Sequence, residues 1–248
     1  CIRPKLGLPM CPLFMDGSVM ISAIVVAAGK SKRFKGKVSK VLAKIDSKPV
    51  IYYSLLVLNR HPEINEIIVV SSPGNLKAIT AIVKRYKINK AKHIVLGGKE
   101  RKDSVLEGLK SLGQDSDYVL IHDGARPLIN NDIVSSVIAA AKISGAAVVG
   151  VQIKPTIKRV DSSLWVKETV DRDGLWEIQT PQVFSKNIIL KAYSRFGASK
   201  VTDDAMLVEK IGIKVKLSPG SYNNIKITTL EDLIIAEAIL KEIKSRGN

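Results

Sequence analysis

Three polar clusters in this chain have the composition for handling phosphates. The first is Ala27-Ala28-Gly29-Lys30-Ser31-Lys32-Arg33, with Lys40 seven residues further on. Its small residues let backbone N–H groups reach an anion, and the cations supply countercharge, which together suggest a triphosphate cradle. The second is Gly97-Gly98-Lys99-Glu100-Arg101-Lys102-Asp103-Ser104. Its glycine pair permits close backbone approach to a base, and Ser104 is a candidate helix cap. The third is His122-Asp123-Gly124-Ala125-Arg126-Pro127. Asp123 is suited to Mg²⁺, which prefers one or two carboxylates plus phosphate oxygens and water, or else to a turn or cap. Arg126 can clamp a phosphate with its planar fork or form a surface ion pair.

Two familiar phosphate motifs are excluded. Gly29-Lys30-Ser31 resembles the end of a Walker A loop, but Ile24 stands where the motif's first glycine must be. The dinucleotide fingerprint needs three spaced glycines, and only Gly29 lies on this turn.

The elements that must position these clusters can be read from hydrophobic patterning. Residues 22–28 form an apolar run too short for a membrane and without helical period, the signature of a strand buried on both faces. Strands are expected at 41–45, 66–71, 93–96, 118–121 and 146–151, and helices up to Arg60 with Ser47 near the cap, at 75–86, at 101–112 and at 132–144. This βα alternation predicts an α/β fold: a Rossmann-like, doubly wound, mostly parallel sheet with helices on both faces. The carboxyl ends of its strands share one edge, so the three clusters converge although distant in sequence. From 152 to 175 the alternation stops and two strand-like pieces flank Asp161-Ser162-Ser163. This stretch reads as a protruding β-hairpin, either a bland surface hairpin or a dimerisation arm that buries Trp165 and its valines against a second subunit. Helices are expected again at 187–193, 203–211 and 230–243, with a strand at 214–217.

Chain-wide properties narrow the function. The 248 residues suit one domain over 20–245, with residues 1–19 as an N-terminal extension outside the fold and Met20 as a plausible start. A formal charge of +16 calls for anionic partners. At 5% aromatic content there is no stacking ribbon, so no nucleic-acid partner is expected, and no apolar run long enough to cross a membrane is seen. Cys1 and Cys11 offer neither a disulfide framework nor, with isolated His61, His93 and His122, a metal cluster. A cytoplasmic location is expected, or a plastid one if the extension is a transit remnant.

The clusters above, together with Thr169-Val170-Asp171-Arg172-Asp173-Gly174-Leu175-Trp176, Gln179-Thr180-Pro181-Gln182, Thr202-Asp203-Asp204-Ala205 and Asn224-Ile225-Lys226-Ile227-Thr228, resemble the sugar-nucleotidyltransferase family. Within it they are most similar to the methylerythritol 4-phosphate cytidylyltransferases, with the motifs in the same order. The resemblance implies transfer of CMP from CTP to methylerythritol 4-phosphate with release of pyrophosphate, assisted by Mg²⁺ or another divalent cation on Asp123. It implies catalytic roles for Arg33, Lys40 and Lys226, and nucleotide contacts from Ala27, Ala28, Gly29, Gly98, Ser104, Asp123 and Gly124. For the acceptor it implies Arg126, Thr156, Arg172, Thr180, Thr202 and Lys226, with Arg172 reaching a neighbouring subunit's site across a homodimer. The chain departs from the family pattern at Val26, Ser39, Lys99, Gly124, Pro155 and Asn223. Two alternatives stay open: transfer to ribitol 5-phosphate, and a nonenzymatic basic protein that binds nucleotide or nucleic acid.

Overall fold

The computed structural model describes residues 19–29, 33, 34, 36 and 38–246. Expectations for Lys30, Ser31, Lys32 and residues 1–18 lie outside the described residues. The described chain runs β1 (Ile21–Ala27), β2 (Lys44–Ile45), β3 (Lys48–Pro49), α1 (Val50–Arg60), β4 (Glu66–Ser71), α2 (Leu76–Arg85), β5 (Ala91–Leu96), α3 (Arg101–Lys110) and β6 (Tyr118–Asp123). It continues with α4 (Asn131–Ser144), β7 (Ala146–Gln152), β8 (Ile157–Val160), β9 (Val166–Val170), β10 (Trp176–Ser185), α5 (Lys186–Phe196), α6 (Ala205–Lys210), β11 (Lys216–Pro219) and α7 (Leu230–Arg246).

A seven-stranded sheet in the order β11-β7-β10-β6-β1-β4-β5 forms the centre. β1 pairs in parallel with β4 on one side and β6 on the other, so the chain changes direction across the sheet between β1 and β6. A crevice opens at that switch point, at the strands' carboxyl ends. Alternate residues feed two apolar layers. Ala23, Val25 and Val69 pack under α1, α2 and α4, and Ile24, Ile68 and Val70 pack under α3, α5 and α6. This two-sided burial explains why the strands read as continuous apolar runs.

Several expectations needed correcting. Residues 41–43 turn rather than pair, with Leu42 N and Ala43 N donating to Ser39 O. Ser47 does not cap α1: it has φ 64° beside Asp46 at 45°, and the two close the tight hairpin between β2 and β3. α1 begins after Pro49 without a side-chain cap. Ser104 is not a cap either, because Glu100 and Asp103 form a reciprocal capping box at the start of α3. The glycine pair has a packing role beyond access to a ligand. A Cβ on Gly97 would stand 2.4 Å from the Ala28 Cβ, and one on Gly98 2.3 Å from the Asp103 Cβ, so Gly97 lets this segment close onto the loop after β1 and Gly98 clears the first turn of α3.

The largest omission is β10, which lies antiparallel between β6 and β7. Its register against β7 shifts between Ile178 and Gln182, around Pro181. A proline among polar residues argues against an interior strand, and the bulge is how this one is accommodated. The hairpin at 152–175 is present as β8 and β9, a separate two-stranded sheet. Asp161 Oδ1 accepts from Ser163 N and Trp165 N to make its turn. Leu164, Trp165 and Val166 at its tip are 81%, 75% and 60% exposed. Among the described residues, no helix is long and apolar enough to cross a membrane.

Candidate active site

Two adjoining clefts occupy the switch-point edge. The first, about 480 Å³, is lined by Ala27, Ala28 and Gly29 after β1, by Arg33 and Lys40, and by Gly98 and Ser104 at the start of α3. The second, about 440 Å³, is lined by Arg126, Gln179, Thr180, Gln182, Thr202 and Asp203. Arg101, Asp123 and Lys226 line both and form the wall between them.

Asp123 ends β6 and is 6% exposed. Its Oδ1 accepts from Arg101 Nε at 3.0 Å, and its Oδ2 meets Lys226 Nζ at 2.5 Å. Burial opposes its negative charge, but the Arg101 and Lys226 cations outweigh burial and hold the carboxyl far below the usual carboxylate range. Arg101 also donates from Nη1 to Asp204 Oδ2 at 2.8 Å. Asp204 in turn accepts from the Tyr193 hydroxyl at 2.6 Å. Desolvation works against the Arg101 charge, and Asp204 and Asp123 reverse that, raising its pKa above the ordinary value.

His122 precedes Asp123 but is no base. It is completely buried, with Nε2 facing Arg126 O at 3.2 Å and Nδ1 facing the Thr180 hydroxyl at 3.1 Å. The carbonyl can only accept, so Nε2 carries the proton and Thr180 donates to Nδ1. Burial pushes this imidazole down to about 4, so it is neutral at physiological pH. Thr180 Oγ1 also accepts from Asp123 N at 3.1 Å, which fixes the backbone that carries the carboxylate. Arg126 is 6% exposed and donates from Nη1 to Asn224 O at 2.7 Å, while its buried Nε has no partner. Asn224 Nδ2 donates to Gln179 Oε1 and Thr180 O, and Ile227 N donates to Ala125 O. These bonds fix the segment that delivers Lys226 to Asp123.

The loop after β1 is anchored at its described residues. Phe34 is 2% exposed and packs with Ile45, Ile227 and Leu240, placing its neighbour Arg33 on the cleft wall. Asn75 Nδ2 donates to Ser39 Oγ at 3.0 Å beside Lys40. Burial, then the nearby Lys226 cation, pushes the Lys40 ammonium down to about 8. A concentration of cations around one carboxylate, with no available imidazole base, suits the joining of two anions.

Comparison with known proteins identifies the architecture. Residues 21–242 match the family model described as IspD, 2-C-methyl-D-erythritol 4-phosphate cytidylyltransferase. The chain belongs to this family. The Alkaliphilus oremlandii protein of that name is 46% identical over 230 residues, covering 92% of this chain and 98% of the relative. A Clostridium botulinum relative is 45% identical over 224 residues, 90% and 98% of the two chains. The crystal structure of 4-diphosphocytidyl-2C-methyl-D-erythritol synthase from Anaerococcus prevotii superposes with a TM-score of 0.80 at 36% identity, covering 91% of this chain and all of that one. A Thermus thermophilus 2-C-methyl-D-erythritol 4-phosphate cytidylyltransferase structure gives 0.73 at 26% identity, covering 88% and 98%.

The cytidylyltransferase fold brings most of the expected residues together in this chain. Ala27, Ala28, Gly29, Arg33, Lys40, Gly98, Ser104, Asp123 and Lys226 line the first cleft, and Arg126, Thr180 and Thr202 the second. Gly124 lines neither: its N–H donates to Val26 O, and a Cβ there would stand 3.3 Å from Val25 Cγ1 and Val26 O, so it is packed against the end of β1. Thr156 and Arg172 also line neither. Both are exposed at the arm, where Arg172 Nη1 donates to Lys154 O. Sequence reasoning assigned no role to Arg101 or Asp204. Arg101 stands among several charged residues in the second cluster, and Asp204 within a motif whose acceptor role falls to Thr202. Their pairing spans 103 positions, which no local spacing reveals.

Proposed function

We infer that the protein transfers CMP from CTP to 2-C-methyl-D-erythritol 4-phosphate, forming 4-diphosphocytidyl-2-C-methyl-D-erythritol and pyrophosphate in isoprenoid precursor synthesis. The observation that carries the site-level reading is the wall of Arg101, Asp123 and Lys226 shared by two polar clefts. CTP takes the first cleft, its triphosphate against the loop after β1 with Arg33 and Lys40. The acceptor takes the second, its phosphate turned toward Arg126 and Lys226. An acceptor phosphate oxygen attacks the α-phosphorus, the new oxygen–phosphorus bond forms, and the bond to the β-phosphate oxygen breaks in line.

The attacking group needs no general base. A phosphate monoester loses its second proton near pH ~6, so at neutral pH its oxygen is already a nucleophile. The protein's work is to overcome repulsion between two anions, align them and stabilise charge growing on the α-phosphate. Cations do this, which agrees with a neutral, fully committed His122.

Mg²⁺, or another divalent cation, is proposed as the cofactor. Asp123 fits it in chemical type, as a buried, ionised carboxylate between the clefts. Among the described residues no cluster of three or more His, Cys, Asp or Glu could hold a metal alone, so phosphate oxygens and water would complete the shell. Such an ion supplies charge neutralisation to the triphosphate. We also propose a homodimer formed through the β8–β9 arm, bringing Thr156 and Arg172 to the partner's acceptor cleft. The apolar arm tip supports this reading. Charged, water-soluble substrates fit a cytoplasmic enzyme.

The test is purified protein with CTP and Mg²⁺, offered methylerythritol 4-phosphate or ribitol 5-phosphate and followed by ³¹P NMR. The expected outcome is equal growth of a diphosphate diester and pyrophosphate with the first acceptor. Faster turnover of ribitol 5-phosphate would contradict it.

A further inference from the structure

Arg101 is the first residue of α3, with its backbone fixed by the capping box in which Asp103 Oδ2 accepts from Glu100 N at 3.0 Å. Its guanidinium has two attachments, Nε on Asp123 Oδ1 and Nη1 on Asp204 Oδ2, and a buried Nη2 with no hydrogen-bond partner. The two carboxylates are not equivalent. Asp123 lines both clefts, within reach of whatever binds there. Asp204 lines neither, is 1% exposed, and is held from behind by the Tyr193 hydroxyl of α5. The neighbouring Asp203 fixes the start of α6, accepting from Met206 N and from Gln182 Nε2.

The Arg101–Asp123 pair therefore faces the clefts, and the Arg101–Asp204 pair lies behind them. A phosphate or cation arriving at the shared wall competes for the Arg101–Asp123 pair but cannot reach the Arg101–Asp204 pair. The planar fork keeps its geometry when one edge is clamped, and the freed edge then presents Nε and Nη2 as parallel donors, the arrangement that suits a phosphate.

We propose that Asp204 is a positioning residue for the transfer: with Tyr193 behind it, it clamps Arg101 so that the guanidinium passes from Asp123 to a substrate phosphate at the junction of the clefts. The proposal rests on the cytidylyl-transfer reading of the site. It differs from a purely structural ion pair tying α3 to α6, because a structural pair affects stability without passing through a substrate contact.

A double-mutant cycle of Arg101→Lys and Asp204→Asn separates the two, read as kcat/KM for both substrates and as CTP affinity by calorimetry without acceptor. Lysine keeps the charge at 101 but cannot bridge two carboxylates while presenting a further pair of donors. Each single variant is expected to lose roughly tenfold to a hundredfold in kcat/KM, and the double variant about as much as the worse single one, since contacts acting through one group do not add. Tyr193→Phe is expected to lose about threefold in the same direction. Losses that multiply in the double variant, or an Asp204→Asn enzyme that melts earlier with wild-type kinetics, would overturn the proposal. If Asp204→Asn does not fold, Tyr193→Phe takes its place in the cycle, and its loss must vanish in the Arg101→Lys background. A wild-type protein inactive with CTP and every acceptor would instead refute the transfer reading itself.

Discussion

At the sheet edge, Asp123 and Asp204 are almost wholly buried, and each is met by defined partners from distant parts of the chain. On the β8–β9 arm, Arg159 and Glu168 pair at 2.6 Å with side chains 64% and 55% exposed, and the apolar residues sit at the tip rather than underneath. The inversion is informative. At the edge, the carboxylates find their cationic partners within one chain. The arm ties Arg172 to its own backbone at Lys154, and it presents apolar surface that no described residue covers. The two halves of the proposed site thus differ: the edge is preorganised by ion pairs within the chain, and the arm would be completed by the proposed second subunit.

The most severe break of this contrast comes from removing edge cations. Lys40→Ala and Lys226→Ala should each lower kcat by about a hundredfold or more, the scale of a lost transition-state contact, measured by pyrophosphate release. Near-normal rates in both would remove the edge from the chemistry. Next in size is Arg172→Ala, expected to raise the KM for the acceptor roughly tenfold while leaving CTP affinity unchanged in calorimetry. A matching loss of CTP affinity would show that the two halves are not separable. Deleting residues 152–175 should give monomers in sedimentation, and a persisting dimer would place the interface elsewhere.

A pH dependence sharpens the edge half further. With its pKa lowered to about 8, the Lys40 ammonium is charged below that pH and loses its proton above it. CTP affinity should therefore be full below pH 8 and fall as pH rises through it, by up to about tenfold per pH unit if the charge is essential. Lys40→Arg, whose cation does not titrate, should flatten that fall; an unchanged profile would assign it to another group. The smallest effect is expected on the arm: Glu168→Gln should change stability by less than ~1 kcal/mol, as exposed ion pairs do, with kcat unaltered.

The βα alternation and the convergence of the three polar clusters were legible because buried parallel strands and their helices carry strong periodic signals. What stayed hidden depended on long-range context. β10 was masked by Pro181 and its polar neighbours, because pairing with β6 and β7 outweighs local propensity there. Ser47 suggested a cap, whereas its positive φ belongs to a turn that β2 and β3 impose. In the site, residue type identified Asp123 and Lys40 as candidates and the family resemblance added Lys226, but neither revealed their partners. Arg101 and Asp204 gain meaning only when α3 and α6 are brought side by side, and Thr180 only when β10 lies against β6.

The central claim, that two clefts sharing the Arg101–Asp123–Lys226 wall hold the two substrates, is tested most directly by a crystal structure with CTP, Mg²⁺ and a non-reacting acceptor analogue. The account predicts the α-phosphate at that wall, within hydrogen-bond reach of Lys226 and in line with the analogue's phosphate in the second cleft. A nucleotide bound with its base at the wall, or an acceptor bound outside the second cleft, would contradict it.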